Sequence, residues 1–158
     1  MRTQSEITQV YERHADSVYR VCLLYMKDIA DREDAVQNTF LKLIRSGKVF
    51  ESTEHEKAWL IVAAGSVCKN MLRTAWRRRV SLGSEFAHTQ APQAEADETI
   101  GAVMALPDKL KTAVYLHYYE GYSGTEIAQM TGAKVSTVYG YLHKGRRLLG
   151  AMLEGGRR

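Results

Sequence analysis

The stretch S-G-T-E-I-A-Q-M-T-G-A-K-V-S-T-V-Y-G-Y-L-H-K-G-R-R, residues 123–147, predicts two short helices joined by a glycine turn. Ser123 and Glu126 have the spacing of a capping box, in which each side chain accepts a hydrogen bond from the other residue's amide. Gly132 predicts the end of the first helix, because glycine adopts a positive φ at little cost. Ser136 is the predicted cap of the second helix. This order of signals is typical of a helix-turn-helix.

The second helix of this pair has one apolar side and one polar side. The residues predicted to face inward are Val138, Tyr141 or Leu142, and Leu148 with Leu149. The residues predicted to face outward are Ser136, Thr137, Tyr139, Gly140, His143, Lys144 and Arg147. A helix that begins with small hydroxyl side chains and ends in Lys144, Arg146 and Arg147 suits a DNA major groove, with bases near its start and phosphates near its end. An ordinary helical hairpin with a solvated basic end has the same pattern, so both interpretations stay open.

The charge of the whole chain is distributed in three segments. The 158 residues carry a net charge of +4, and 45% of them are hydrophobic, which is typical of a folded protein. Residues 1–80 and 102–158 are basic, whereas residues 81–101 contain four acidic side chains and no Lys or Arg. This pattern predicts a helical domain over 1–80, a flexible linker over 81–98 and a second helical domain over 99–158.

Several classes of protein are not indicated by the sequence. It has no apolar run of about 18 residues and no signal-peptide pattern, which predicts a cytoplasmic protein without membrane insertion. Cys22 and Cys68 lie in apolar helical contexts and are expected to be buried reduced thiols. No His and Cys pair has zinc-ligand spacing, so no metal or other cofactor is expected. No nucleophile with a base and no phosphate-binding glycine loop stands out, so an enzyme is not expected.

The first domain reads as three helices. Apolar residues recur every three or four positions over residues 5–26, and a second helix is predicted from Asp31 to the glycine stop at Gly47. On this second helix Ala35, Val36, Thr39, Leu43 and Phe40 are candidates for inward packing. The candidates for a partner-facing side are Asp34, Gln37, Asn38 and Leu41.

A capping box of Thr53 and Glu56 predicts the start of a third, long helix that runs to about Arg79. The helix begins apolar and ends with five cations around Trp76: Lys69, Arg73, Arg77, Arg78 and Arg79. Basic side chains near a helix C-terminus complement its dipole, so capping and solubility are the simple interpretation. Five cations interleaved with an aromatic ring exceed what capping needs, and we interpret them as a nucleic-acid contact.

In the second domain, Leu106 and Pro107 predict the start of a helix that precedes the helix-turn-helix. Its apolar and aromatic residues Val114, Leu116, Tyr118 and Tyr119 are predicted to lie in the core.

The order of these segments resembles the extracytoplasmic-function sigma factors of bacterial RNA polymerase. The resemblance rests on D-R-E-D-A-V-Q-N-T-F-L-K-L (31–43), H-E-K-A-W-L-I-V (55–62), the segment 105–128 that contains Y-S-G-T-E-I-A, and V-S-T-V-Y-G-Y-L-H-K-G-R-R-L-L (135–149). It spans nearly the whole chain. It implies an all-α fold with two small helical domains, one binding the polymerase clamp and the −10 element, the other reading the −35 element.

The resemblance also implies roles for individual residues. The helix that would dock on the clamp coiled coil of core polymerase contributes Asp34, Gln37, Asn38, Phe40 and Leu41. Plain core packing is an equal alternative for Phe40 and Leu41. The residues assigned to −10 DNA are Ser66, Lys69, Asn70, Arg73, Trp76, Arg77 and Arg78. The residues assigned to −35 DNA are Lys134, Ser136, Thr137, Tyr139, Gly140, His143, Lys144, Arg146 and Arg147.

The sequence departs from the family pattern at both DNA-binding segments. Val62, Gly65 and Ser66 stand where family members often carry Arg and Asn, and Tyr139 and Tyr141 stand where cations are usual. Because tyrosine has no charge with which to release counterions, −35 affinity is expected to depend on the remaining cations.

These observations predict a sigma factor that initiates transcription as a subunit of core RNA polymerase on promoter DNA. The resemblance also allows an anti-sigma factor as a partner. One alternative is a stand-alone helix-turn-helix regulator, which would not need residues 31–45 to bind polymerase. The other is a helical adaptor whose basic helix ends are merely solvated.

Overall fold

A computed structural model of the chain describes residues 2–82 and 98–155. Within these ranges the secondary structure consists of helices, without strands. The helices are α1 Gln4–Tyr25, α2 Ile29–Ser46, α3 Thr53–Leu82, α4 Glu98–Met104, α5 Asp108–Tyr118, α6 Gly124–Thr131 and α7 Val135–Gly155. The predicted all-α class is confirmed.

The chain divides into two compact units, Met1–Ala91 and Pro92–Arg158. The predicted linker over 81–98 falls mostly outside the described residues, and its three described positions belong to helices, because α3 continues to Leu82 and α4 begins at Glu98. The proposed domain boundaries therefore stay predictions.

The first unit is a three-helix core in which α1, α2 and α3 pack against one another. Its fully buried side chains come from all three helices: Val18, Val21 and Leu24 of α1, Leu43 of α2, and Leu60 and Ile61 of α3. The apolar half of α3 therefore lies inside this unit, which leaves its basic half as a continuation of a well-anchored helix.

The helices of the first unit begin at capping residues that the sequence analysis did not name. Thr3 caps α1 in a capping box with Glu6, with both hydrogen bonds at 3.2 Å. Asp28, rather than Asp31, caps α2 by accepting a hydrogen bond from the amide of Ala30 at 2.9 Å. The predicted stop of α2 is confirmed, since Gly47 has a φ of 64°.

The capping box predicted at Thr53 is wrong. The Ser52 hydroxyl accepts a hydrogen bond from the amide of His55 at 3.1 Å, one residue earlier than expected. Glu56 instead turns toward α1, where its carboxylate accepts hydrogen bonds from Arg13 at 2.8 Å and His14 at 2.9 Å. Glu56 thereby gains a charged donor, Arg13, and a buried one, His14, and a charge-assisted hydrogen bond is stronger than the bond of a neutral, solvent-exposed cap.

Further polar groups lie inside the first unit, among them Arg32 and two thiols. Arg32 is buried, and its guanidinium donates to the carbonyls of Met26 at 2.7 Å and Lys27 at 3.3 Å, which ties the start of α2 to the end of α1. Cys22 and Cys68 are buried thiols, as predicted. A hydrogen bond with Cys68, together with burial, raises the pKa of the Cys22 thiol.

The second unit is built around α5 and α7, which pack against each other and against α4 and α6. Its fully buried core includes Val103 of α4, Leu110, Val114 and Tyr115 of α5, and Ile127 of α6. Pro107 precedes the first turn of α5 instead of lying within it.

The prediction that Tyr118 lies in the core is wrong. Tyr115 is the tyrosine that fills the core, and its hydroxyl donates to Glu120 at 2.8 Å. Tyr118 is exposed at the last position of α5, where its ring stands edge-on to that of His117.

Candidate functional site

The helix-turn-helix is formed by α6, a short turn and α7. The capping box is confirmed, since the Ser123 and Glu126 side chains each accept the other residue's amide at 3.1 Å. Gly132 ends α6 with a φ of 74°, and its amide donates to the carbonyl of Ala128 at 2.9 Å. These local hydrogen bonds fix both ends of α6 and thereby the direction in which the chain enters α7.

The cap predicted at Ser136 is wrong. α7 already begins at Val135, and the amide of Val138 donates to the carbonyl of Lys134 at 3.1 Å. Ser136 therefore belongs to the first helical turn, because the tight turn after Gly132 needs fewer residues than the sequence interpretation allowed. Its hydroxyl stays on the exposed side of the helix.

The two sides of α7 separate as predicted except at Leu148, which was expected to face inward and is exposed. Val138, Leu142 and Leu149 are buried, whereas Tyr141 is half-buried and Leu148 is exposed. Every residue proposed for −35 contact is exposed, namely Lys134, Ser136, Thr137, Tyr139, Gly140, His143, Lys144, Arg146 and Arg147. The helix thus presents hydroxyl groups near its start and cations about two to three turns later.

A shallow cavity of about 400 Å³ lies along one flank of α7. It is lined by Thr137, Gly140, Tyr141, His143, Lys144 and Arg147 of α7 and by Lys109 of α5. Sequence reasoning missed Lys109, because nothing local to α5 shows which turn of α7 it faces. The exposed Lys109 side chain adds a cation beside two cations of α7.

The basic half of α3 is largely exposed, as a nucleic-acid contact requires. Ser66, Asn70, Arg73, Trp76, Arg77 and Arg78 are exposed, and the Trp76 side chain is 64% accessible. Lys69 is half-buried, with its Nζ 6.0 Å from the centroid of the Tyr25 ring. A large exposed aromatic among cations can stack on an unpaired base while the cations bind phosphates.

The exposed side of α2 contains four of the five residues proposed to bind polymerase. Asp34, Gln37, Asn38 and Leu41 are exposed. Phe40 is only 8% exposed, and its ring centroid lies 5.0 Å from that of Tyr11 on α1. Of the two alternatives for Phe40, the structure therefore favours core packing.

The start of α2 is rich in carboxylates. Partial burial, and then the neighbouring charges of Asp28 and Asp34, raise the pKa of Asp31. Asp28 and Asp31 lie at the N-terminal end of α2, where carboxylates complement the positive end of the helix dipole.

A groove of about 510 Å³ runs between α2 and α3. Its lining combines residues from two proposed functions, Asn38 and Leu41 for polymerase and Asn70 for DNA. The remaining lining residues, missed by sequence reasoning, are Lys42, Arg45, Ser46, Val67 and Met71. The pairing of the two helices brings these residues together, and neither helix alone shows it.

In the part of the chain that the structure describes, no three His, Cys, Asp or Glu residues are grouped so that they could hold a metal ion. Across the same residues, none of the helices has the length and apolar character needed to span a membrane.

Comparison with known families divides the chain as its two units do. The Sigma-70 region 2 family matches residues 10–78, and the Sigma-70, region 4 family matches residues 97–149. Two solved structures illustrate the similarity in fold. The sigma factor RpoE of Bartonella quintana, in complex with the anti-sigma factor NepR, has a TM-score of 0.72 at 20% identity and covers 93% of this chain and 96% of its own. CnrH, in complex with the cytosolic domain of CnrY, has a TM-score of 0.65 at 19% identity, over 97% of this chain and 90% of CnrH.

Two relatives carry the likeness at the level of sequence. The ECF RNA polymerase sigma factor SigE of Mycolicibacterium smegmatis is 30% identical over 152 residues, which are 89% of this chain and 59% of SigE. SigL of Mycobacterium tuberculosis, also an ECF RNA polymerase sigma factor, is 29% identical over 155 residues, 92% of this chain and 87% of SigL. The two family matches together cover well over half of the chain, which therefore belongs to the Sigma-70 family, among the extracytoplasmic-function (ECF) sigma factors.

Proposed function

We propose that this chain acts as an RNA polymerase sigma factor, which brings core polymerase to promoters and starts transcription there. The observation that carries the proposal is the presence of both Sigma-70 regions, each on its own compact unit with an exposed basic helix. A stand-alone regulator would need only the second unit.

The second unit is proposed to read the −35 element with α7 in the major groove. The exposed start of α7 carries Ser136, Thr137 and Gly140, which leave room for base edges, while Lys144 and Arg147 suit phosphates. Lys134 and Arg146 add two further cations on α7, and Lys109 adds one on α5. With Tyr139 in place of a usual cation, these charges supply the salt-dependent part of the affinity.

The first unit is proposed to bind −10 DNA through the second half of α3 and core polymerase through α2. On α3 the exposed Trp76 would stack on a base while Arg73, Arg77 and Arg78 bind the backbone. On α2 the polar and apolar groups of Asp34, Gln37, Asn38 and Leu41 form the polymerase-facing side.

Further partners and the location follow from the same proposal. RpoE of Bartonella quintana was captured with the anti-sigma factor NepR, so an anti-sigma factor is a proposed partner of this chain. A subunit that positions polymerase on DNA performs no bond chemistry itself, so we infer a non-catalytic protein that works in the cytoplasm, where polymerase is.

Co-purification with core polymerase, followed by promoter binding at increasing salt, tests the proposal. The chain should co-elute with core polymerase, and the complex should bind promoter DNA with an affinity that falls as salt rises. A stand-alone regulator would bind DNA without associating with core polymerase. A helical adaptor would show no salt-dependent DNA binding in either form.

A further inference from the structure

The ring of Tyr139 on α7 lies across the first residue of α6. A Cβ atom placed on Gly124 would stand 2.7 Å from Cζ, 2.8 Å from Cε1 and 3.0 Å from Cε2 of Tyr139. Three nearly equal distances mean that the outer end of the ring lies with its face over Gly124. Any side chain at this position would displace the ring.

Gly124 differs in this respect from Gly132 and Gly140 of the helix-turn-helix. Gly132 has open space around it and is needed for its positive φ of 74°. Gly140 also has open space. Gly124 is buried and is not among the glycines with positive φ, so alanine could adopt its backbone conformation. What excludes a side chain there is the tyrosine ring.

Tyr139 is held on one side and open on the other. Its side chain is 51% exposed, and it lies on α7 between the exposed residues Ser136 and His143, three positions before and four after. These three residues occupy the same side of the helix. The part of the ring that does not cover Gly124 is therefore available to whatever binds this side.

We infer that Gly124 determines −35 sequence preference indirectly, as a positioning residue that holds the Tyr139 ring in one orientation. The inference rests on the proposed −35 role of α7. A side chain that reads a base must be held close to its productive geometry, and packing against a neighbour provides that restraint. Without the open position at Gly124, the ring would swing away from α6 and meet different atoms of the DNA.

The test uses the full chain with core polymerase and a promoter pool in which only the −35 element is randomised. The experiment compares five variants: Gly124→Ala, Tyr139→Ala, the double variant of these two, Tyr139→Phe, and Gly124→Ala combined with Tyr139→Phe. The phenylalanine ring keeps the three atoms that meet the added methyl group. A second pool, in which only the −10 element is randomised, serves as the control, since that element is proposed to bind the other unit.

Gly124→Ala should change the preference at one or more −35 base pairs by about five-fold or more, the lower end of what one good base contact contributes. Adding Gly124→Ala to Tyr139→Phe should cause the same shift relative to Tyr139→Phe alone, whereas adding it to Tyr139→Ala, which has no ring to displace, should cause none. An unchanged −35 preference in Gly124→Ala would overturn the inference. So would an equal shift in the Tyr139→Ala background.

Two further outcomes distinguish failure of this inference from a folding defect and from failure of the proposed function. If Gly124→Ala does not fold, Tyr139→Phe and Tyr139→Leu are compared with Gly124 in place: a ring held by Gly124 requires Phe to keep the preference and Leu to change it, and equal behaviour refutes it. If the unchanged chain shows no core-dependent promoter binding, the proposed function and this inference fail together. If it binds normally and only the variants contradict expectation, the inference alone fails.

Discussion

Gly145 of α7 lies where a side chain would strike the core of the second unit. A Cβ atom there would stand 2.4 Å from Cγ2 of Val114, which is fully buried on α5. Since a buried β-branched side chain has little freedom to move, α5 and α7 must approach through a residue without a side chain. The close packing of these two helices places the exposed face of α7.

Gly145→Ala should therefore destabilise the second unit by about 1–3 kcal/mol, the usual range for overpacking a core. Gly150→Ala is the matched control, since Gly150 lies on the same helix with open space around it. It should be neutral or gain up to about 1 kcal/mol from helix propensity. Urea denaturation measures both variants, and equal effects would show that Val114 does not restrict this position.

The stability of the first unit should depend on pH through His14. It is 3% exposed, and its Nε2 lies 2.9 Å from the carboxylate of Glu56, with Arg13 on the same carboxylate. Burial lowers the pKa of His14 below its ordinary 6.5, against the attraction of Glu56 and with the help of the Arg13 and Lys57 charges. In the folded state the imidazole is thus kept neutral at a pH where it would begin to ionise in the unfolded chain.

The free energy of unfolding should consequently fall as pH drops below about 6.5, because the unfolded chain takes up the proton first. The loss should continue until the pH reaches the lowered pKa of the folded state. Denaturation at several pH values measures it. His14→Gln should reduce the slope, whereas the exposed His143→Gln should retain it; the same slope in both variants would contradict the assignment.

At the scale of residues, the correct predictions concern features that depend on neighbours along the chain. The box of Ser123 and Glu126 and the stop at Gly132 involve residues within four positions, and all were correct. Glu56 was wrongly assigned to a cap, because its partner His14 lies 42 positions away and leaves no signal in the neighbouring sequence. The packing of Tyr139 on Gly124 was missed for the same reason, since it depends on how two helices cross.

Among the helices, α2 carries the proposed polymerase surface. Replacing Asp34 and Gln37 by Ala should weaken binding to core polymerase and leave the fold intact, because both side chains are exposed. Competition with the unchanged chain for core polymerase measures the effect, and circular dichroism checks the helix content. Gln9→Ala with Glu12→Ala, exposed on α1, is the control pair. If both double variants compete equally, α2 does not bind polymerase through this side.

On α7 the proposed phosphate contacts predict a dependence on salt. Lys144→Gln or Arg147→Gln should weaken binding to all −35 sequences alike and reduce the salt slope by about one unit each. Lys109→Gln should behave in the same way, because Lys109 lines the same cavity. Arg20→Gln, exposed on α1, should leave the slope unchanged. DNA affinity measured at a series of salt concentrations gives the slope. An unchanged slope in these variants would mean that their side chains do not contact phosphates.

Tyr139→Arg tests the base-facing part of the same helix, since it places the cation usual in the family at this position. It should tighten −35 binding, increase the salt slope and shift the base preference. Selection from randomised −35 elements reports the preference. If neither the preference nor the slope changes, α7 does not enter the groove with this side.

The helices themselves were largely predictable, because amphipathic spacing and glycine stops are periodic or local signals. Their starting residues were less so, since Ser52 and Thr53, or Asp28 and Asp31, are equally suitable caps in the sequence. The groove between α2 and α3 depends on how two helices pack, and no pattern within either helix indicates it.

For the molecule as a whole, charge and helix content predicted two basic helical bodies, and the structure divides into two compact units. The predicted acidic linker over residues 81–98 lies mostly outside the described residues. Its sequence predicts that limited proteolysis cuts first within residues 81–98 and releases two helical fragments. Equal resistance of this segment and of the flanking helices would argue for one fused domain.

The central claim is that the two units act together as a sigma factor. In vitro transcription by purified core polymerase from a pool of random promoters tests it most directly, with and without the chain. We expect transcripts that depend on the chain and start from templates sharing two sequence elements at a fixed separation. Transcripts that do not depend on the chain, or templates that share no such pair of elements, would contradict it.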